Sequence, residues 1–389
     1  MTAPRVPMYD LRAEYHVQKD AIDAAIERVL ESGVLIMGPE LTAFEDEFAR
    51  FCGTGYAVGV SSGTAALHLA LLACGVGRGD EVITVPNSDI PTTMTITHCG
   101  ASIVWVDVDP KTFTLDPGQL AGKITPRTKA IVPVHLFGHP ADMDPIMKAA
   151  RAHGVKVIED AALATGATYK GRKVGAIGDV GCFSLAPTKI LGALGDAGIV
   201  TTNDAAVADR IKVLRNYGHD LRMGNPLVPS TGVSKWPLVA EGFNERLDSL
   251  QAAVLRVRLP ALSEGIQRRR DIARRYTQRL KNMDLVVPYE APDVTHVYRA
   301  YPILVDRAHR VRADLAERGI STHAYYTPPL HRQPAYAGRR QAAGSFPVAE
   351  AIAERLVCLP IFPTMSSQQV AAVLAALAHL VQATRPAAR

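Results

Sequence analysis

Long apolar runs, surplus charge and paired cysteines are all missing from this chain. In 389 residues no apolar run approaches the roughly 18 needed to cross a bilayer. The opening MTAPRVPMYD shows no positively charged stretch leading into an apolar one. These absences lead us to expect a cytoplasmic protein with no membrane partner. Charge is dilute, with 43 Lys and Arg against 38 Asp and Glu for a net +5, so nucleic acid is not expected as a partner. The cysteines Cys52, Cys74, Cys99, Cys182 and Cys358 are odd in number, scattered and never two residues apart. That spacing speaks against zinc or redox motifs and for reduced thiols, mostly filling core, with no metal site. His135 and His139 are four apart, but Gly138 and Pro140 interrupt any helix that would bring them onto one face. Aromatics are only 6%, and no internal repeat is visible.

Hydrophobic residues make up 48% of the chain, enough for one large domain and a smaller one. Short β-branched runs stand at 56–60, 81–85, 102–108, 129–134, 155–159, 180–185 and 198–202. Helical spacing is clearest between them at 19–31, 40–51, 64–73, 143–152 and 205–215. Strands alternating with helices imply an α/β fold, its sheet covered on both faces. From 219 to 241 the composition turns to Gly, Pro and Ser without periodicity, which reads as a long surface loop. A strong helical pattern follows, carrying Arg268, Arg269, Arg270, Arg274 and Arg275, read as a solvated face. Further on, HVYRAYPILV reads as a strand, RVRADLAERG as a helix and QQVAAVLAALAHLVQA as an amphipathic closing helix. The expected division is a large domain over 1–250 and a smaller C-terminal α+β domain over 251–389.

Three motifs carry chemistry. Ser62, Gly63 and Thr64 follow a strand and open a helix, where unpaired N–H groups and the helix dipole can cradle a phosphate. An ordinary capped helix start fits those residues equally well. Val157-Ile158-Glu159-Asp160 delivers a carboxylate at the end of a buried strand, where α/β sheets bind ligands. Asp160 could hold a ring nitrogen protonated, or simply cap the next helix. Lys189 lies in an apolar, glycine-rich segment between two strands, and a lysine that loses solvation is suited to imine chemistry. Taken singly, a lysine is more often a surface charge. In this order, the three are the phosphate anchor, pyridinium partner and aldehyde partner that pyridoxal phosphate needs.

The chain resembles the DegT/DnrJ/EryC1/StrS sugar aminotransferases, within the fold type I pyridoxal phosphate enzymes. The resemblance runs from Val6-Pro7-Met8-Tyr9 through Met37-Gly38-Pro39-Glu40, Ser62-Gly63-Thr64, Pro133-Val134-His135 and Glu159-Asp160-Ala161-Ala162. It continues through Pro187-Thr188-Lys189, Gly242-Phe243-Asn244-Glu245-Arg246 and Pro329-Leu330-His331 to Leu359-Pro360-Ile361. It implies a mostly parallel seven-stranded sheet, with Lys189 bonding the cofactor aldehyde and later moving the proton, and Asp160 on the ring nitrogen. Ser62, Gly63, Thr64 and Ser184 would hold the phosphate. Asn244 would reach the phosphate of the neighbouring subunit, making a homodimer with shared active sites, and His331 would line the sugar pocket.

Two positions depart from the pattern. Ile90 stands at the place aligned with an aromatic that stacks on the cofactor ring, and Leu163 stands where Gln or His usually meets its phenolic oxygen. The implied reaction moves an amino group from L-glutamate to a nucleotide-linked keto-deoxysugar through pyridoxamine phosphate. Its rivals are a cyclitol aminotransferase, a pyridoxamine-dependent sugar dehydratase and a non-catalytic cofactor-binding regulator. The lysine at 189 speaks for transamination, because the related dehydratases carry histidine there.

Overall fold

A computed structural model of the chain describes residues 5–220, 237–336 and 345–383. Most of the stretch read as a loop over 219–241 therefore lies outside the described residues. The strands, in chain order, are β1 (Tyr56–Val60), β2 (Glu81–Thr84), β3 (Ser102–Trp105), β4 (Thr128–Ile131), β5 (Lys156–Asp160), β6 (Thr168–Tyr169) and β7 (Arg172–Lys173). They continue as β8 (Val180–Ser184), β9 (Gly198–Thr202), β10 (Val294–Thr295), β11 (Tyr301–Leu304) and β12 (Leu356–Leu359). The helices are α1 (Leu11–Val17), α2 (Lys19–Ser32), α3 (Pro39–Cys52), α4 (Gly63–Ala73), α5 (Ile90–His98) and α6 (Met143–His153). After them come α7 (Ala205–Leu214), α8 (Ser249–Arg258), α9 (Leu262–Leu280), α10 (Ala308–Glu317), α11 (Pro347–Arg355) and α12 (Ser367–Ala383).

All seven expected strand runs fall into one sheet of order β1-β9-β8-β5-β4-β2-β3. The pairs from β8 to β3 are parallel, and β9 runs antiparallel to both β8 and β1. Central strands of such a sheet are buried on both faces, which is why they read as unbroken apolar runs. On one face α4 through α7 cover the sheet, with Leu67, Leu71, Ile146 and Ile211 in the core. On the other, Phe44 and Phe48 of α3 meet Phe183 of β8. Each such side chain contributes about 1.5–3 kcal/mol by leaving water.

The chain does not divide cleanly at residue 250. Helix α8 packs on α2, with Ala253 against Ala25 and Val29, and so belongs to the large layer. A turn at Leu259–Ala261 containing Pro260 breaks the long helical pattern, as proline's missing N–H and ring require. The smaller core starts inside α9 at Ile272, takes in β11, β12, α10 and α12, and also claims Val6. Residues Leu330, Tyr336, Phe346 and Ile352 return to the large core.

The expected strand over 296–305 shortens to β11, because the N–H groups of Val297 and Arg299 bond the carbonyls of Gly138 and Phe137. That docks the segment beside the sheet's carboxyl edge. The arginine-rich face of α9 also needs correcting: Arg269 is buried and donates to the carbonyl of Ile361. All five cysteines are free. Among the described residues no helix is long and apolar enough to cross a membrane.

Candidate active site

The carboxyl ends of β1, β5 and β8 open on a cavity of about 220 Å³. Helix α4 begins there. Ser62 is its N-cap, its Oγ accepting from the Ala65 N–H at 3.1 Å, so the N–H groups of Gly63 and Thr64 keep no intrahelical partner. Position 63 needs glycine, since a Cβ there would stand 2.5 Å from the Ser184 Cβ. That contact brings the helix start against the end of β8 and places the Ser184 side chain beside the free N–H groups. The donor set is what an anion such as phosphate requires.

Asp160 ends β5, only 4% exposed. Its Oδ2 accepts from Thr92 Oγ1 at 2.7 Å and its Oδ1 from the Ala162 N–H at 3.2 Å. Ser88 in turn donates to Thr92 at 2.7 Å. Burial pushes the Asp160 carboxyl above the usual range, against the Thr92 hydrogen bond. A carboxylate so placed gains most from a cation, and a protonated ring nitrogen supplies one. Behind it the next carboxylate is locked. Glu159 takes hydrogen bonds from His135 and from the N–H groups of Gly175, Ile177 and Gly178, and these outweigh burial to hold it low.

Lys189 reaches the same cavity from the turn after β8. Loss of solvation, and then the charge of Arg299, bring its pKa down to about 8, so roughly a tenth of it is neutral near pH 7, far more than for an ordinary lysine. Lys189, Leu163, Asp89 and Tyr326 also line an adjoining cavity of about 140 Å³, bounded by Arg299 and Tyr325.

Seven of the expected site residues therefore converge: Ser62, Gly63, Thr64, Asp160, Leu163, Ser184 and Lys189. Three do not. Ile90 packs on the large core, and its neighbour Asp89 lines the cavity in its place. His331 is buried away from the site, bonded to Glu350 at 2.9 Å and packed edge-on to Phe346. Asn244 is exposed, on a bridge to Asn216, and does not line its own chain's cavity. The residues present fit pyridoxal phosphate: free helix N–H groups for its phosphate, a buried acid for its ring nitrogen, a desolvated lysine for its aldehyde. Among the described residues no cluster suits a metal ion.

Sequence reading missed Asp89, Thr92, Arg299 and Tyr326. For Thr92 a signal existed, since Asp89 before Ile90-Pro91 is a helix start with its cap and early proline. Arg299 and Tyr326 arrive by long-range packing, which leaves no local mark.

The model of the DegT/DnrJ/EryC1/StrS aminotransferase family matches residues 17–378. The dTDP-3-amino-3,4,6-trideoxy-alpha-D-glucose transaminase of Streptomyces venezuelae is 43% identical over 375 residues, covering 96% of both chains. The crystal structure of S. venezuelae DesV in complex with a ketimine intermediate aligns with a TM-score of 0.92 at 42% identity, covering 99% of this chain and 100% of that one. The Bacillus subtilis NtdA structure with bound cofactor PMP aligns with a TM-score of 0.88 at 28% identity, covering 98% of this chain and 86% of that one.

Proposed function

This chain belongs to the DegT/DnrJ/EryC1/StrS aminotransferase family, and from that premise we propose that it moves an amino group onto the keto carbon of a nucleotide-linked deoxysugar in amino sugar biosynthesis. It has the fold type I architecture and is a pyridoxal phosphate enzyme. The finer parts of the proposal are L-glutamate as donor and a homodimer whose sites are completed by Asn244 of the neighbour.

When bound, pyridoxal phosphate supplies an electrophilic aldehyde and a ring that withdraws electrons. The chain's own residues do the rest. Ser62, Gly63, Thr64 and Ser184 would anchor the phosphate, and Asp160 would keep a proton on the ring nitrogen. Thr92 fixes Asp160 in place from the side. Lys189 would hold the aldehyde and, once free of it, would carry the proton that has to be moved in the reaction. Leu163 has no hydrogen-bonding group to offer the cofactor's phenolic oxygen.

The observation that carries the reading is that one cavity takes in a helix N-terminus, a buried acid and a lysine whose pKa has fallen to about 8. The test is spectroscopic. Purified protein should absorb in the visible, bleach on addition of L-glutamate, and regain its colour with one member of a panel of nucleotide-linked ketosugars, yielding the aminosugar. A protein that takes up the cofactor but is bleached by no amino acid would contradict the reading.

A further inference from the structure

We propose that Arg299 is the docking point for the α-carboxylate of the amino donor. This rests on the transaminase reading above and adds to it the group that selects an α-amino acid. Arg299 is 5% exposed and lines the cavity beside Lys189. Its partners are neutral: Nη1 donates to the Tyr9 hydroxyl at 2.9 Å and Nη2 to Thr188 Oγ1 at 3.2 Å. The guanidinium also lies 4.6 Å from the centre of the Tyr9 ring. Its Nε is buried without an acceptor. Among the described residues no carboxylate forms a salt bridge with it, whereas the equally buried Arg215 is paired with Glu45.

A buried guanidinium stays charged, and a charge left without a counter-ion is costly unless a ligand brings one. The surroundings also have donors to spare. The hydroxyls of Tyr9 and Tyr325 share a hydrogen bond, and whichever of them donates, the other's proton has no acceptor among the described residues. The acidic group on this cavity is Asp89, exposed at the cap of α5 and held by the Ile90 N–H. Apart from Lys189, which the cofactor's aldehyde would occupy, the walls present one charge of each sign, the complement of a zwitterion.

Position separates the two anions a transaminase of this kind would meet. An α-carboxylate is bonded to the carbon that carries the reacting nitrogen, so it must lie close to Lys189. Arg299 does, through its hydrogen bond to Thr188, the preceding residue. A nucleotide diphosphate is held off from the reacting carbon by the sugar ring.

The test compares half-reactions of the holoenzyme. Bleaching is followed with L-glutamate and with 4-aminobutyrate, which lacks the α-carboxylate, and amino transfer from the pyridoxamine-loaded form is followed with the ketosugar. The parent should prefer L-glutamate by about 100-fold, the scale of losing one partner of a buried charge pair. Arg299→Met should lower L-glutamate efficiency about 100-fold, abolish that preference, and lower the sugar half-reaction at least tenfold less. Arg299→Lys should recover part of the loss. Equal losses in both halves, a larger loss with the sugar, or undiminished L-glutamate efficiency would overturn the subsite. If Arg299→Met does not fold, the parent decides: a preference under tenfold overturns the proposal. A parent bleached by no amino acid would overturn the transaminase reading, and the subsite with it.

Discussion

Lys189 is the side chain whose loss removes most. Lys189→Ala should abolish turnover while leaving the fold and the phosphate and ring contacts in place; turnover at a tenth of the parent rate would show that another group does its work. Asp160→Asn keeps the size and removes the charge that holds the ring nitrogen protonated, so turnover should fall by orders of magnitude more than cofactor affinity. Rates equal to the parent would reduce Asp160 to a structural residue. The titration of Lys189 can be read directly on the apoprotein. A lysine lowered to about 8 is mostly neutral above that pH, so acylation of Lys189 followed by mass spectrometry should rise with pH and level off above about 8. A midpoint near the ordinary lysine value would contradict the desolvated setting. Arg299→Met removes a charge that lowers Lys189, so in that variant the midpoint should move up.

Helix α4 and strand β8 meet at Gly63, and the site depends on how closely they approach. Gly63→Ala would put a methyl 2.5 Å from the Ser184 Cβ, forcing the helix start away from the strand. Overpacking of this kind costs about 1–3 kcal/mol, and pyridoxal phosphate affinity should fall with it by about tenfold or more. Unchanged affinity, measured by titration of the apoprotein, would mean that the helix start is not the phosphate anchor.

Elements differ in how plainly the sequence announces them. The seven strands of the sheet were legible because burial on both faces writes a continuous apolar run. Helix α5 was harder to read, since its Thr-rich run suggests extended chain although Asp89 and Pro91 mark a helix start; packing against α4 and β3 supports the helix. The same helix explains the displaced assignment at Ile90: Asp89 is its extended N-cap and lines the cavity, while Ile90, the first helical residue, packs on the core. Lys189, Asp160 and the Ser62–Thr64 segment were legible because residue type and place at strand ends go together. Arg299 was hidden inside a run that reads as strand, and its role appears only when the segment docks on Phe137 and Gly138.

For the whole molecule, the proposal of shared sites can be tested by subunit exchange. Asn244 lies on an exposed bridge outside its own chain's cavity, so it is free to serve a neighbour. Lys189→Ala and Asn244→Asp, each inactive, should on mixing give a heterodimer with one site carrying both lesions and one carrying neither. Activity should therefore reappear; its absence despite demonstrated exchange would rule out a site built from two chains. The central claim, that this chain is a transaminase working through Lys189, has a more direct test. The purified protein is reduced with borohydride, digested and analysed by mass spectrometry, with and without prior L-glutamate. Without L-glutamate the pyridoxyl group should be fixed on Lys189; with it, Lys189 should be unlabelled and the cofactor released as pyridoxamine phosphate. A label on another lysine, or one on Lys189 that L-glutamate leaves unchanged, would contradict the claim.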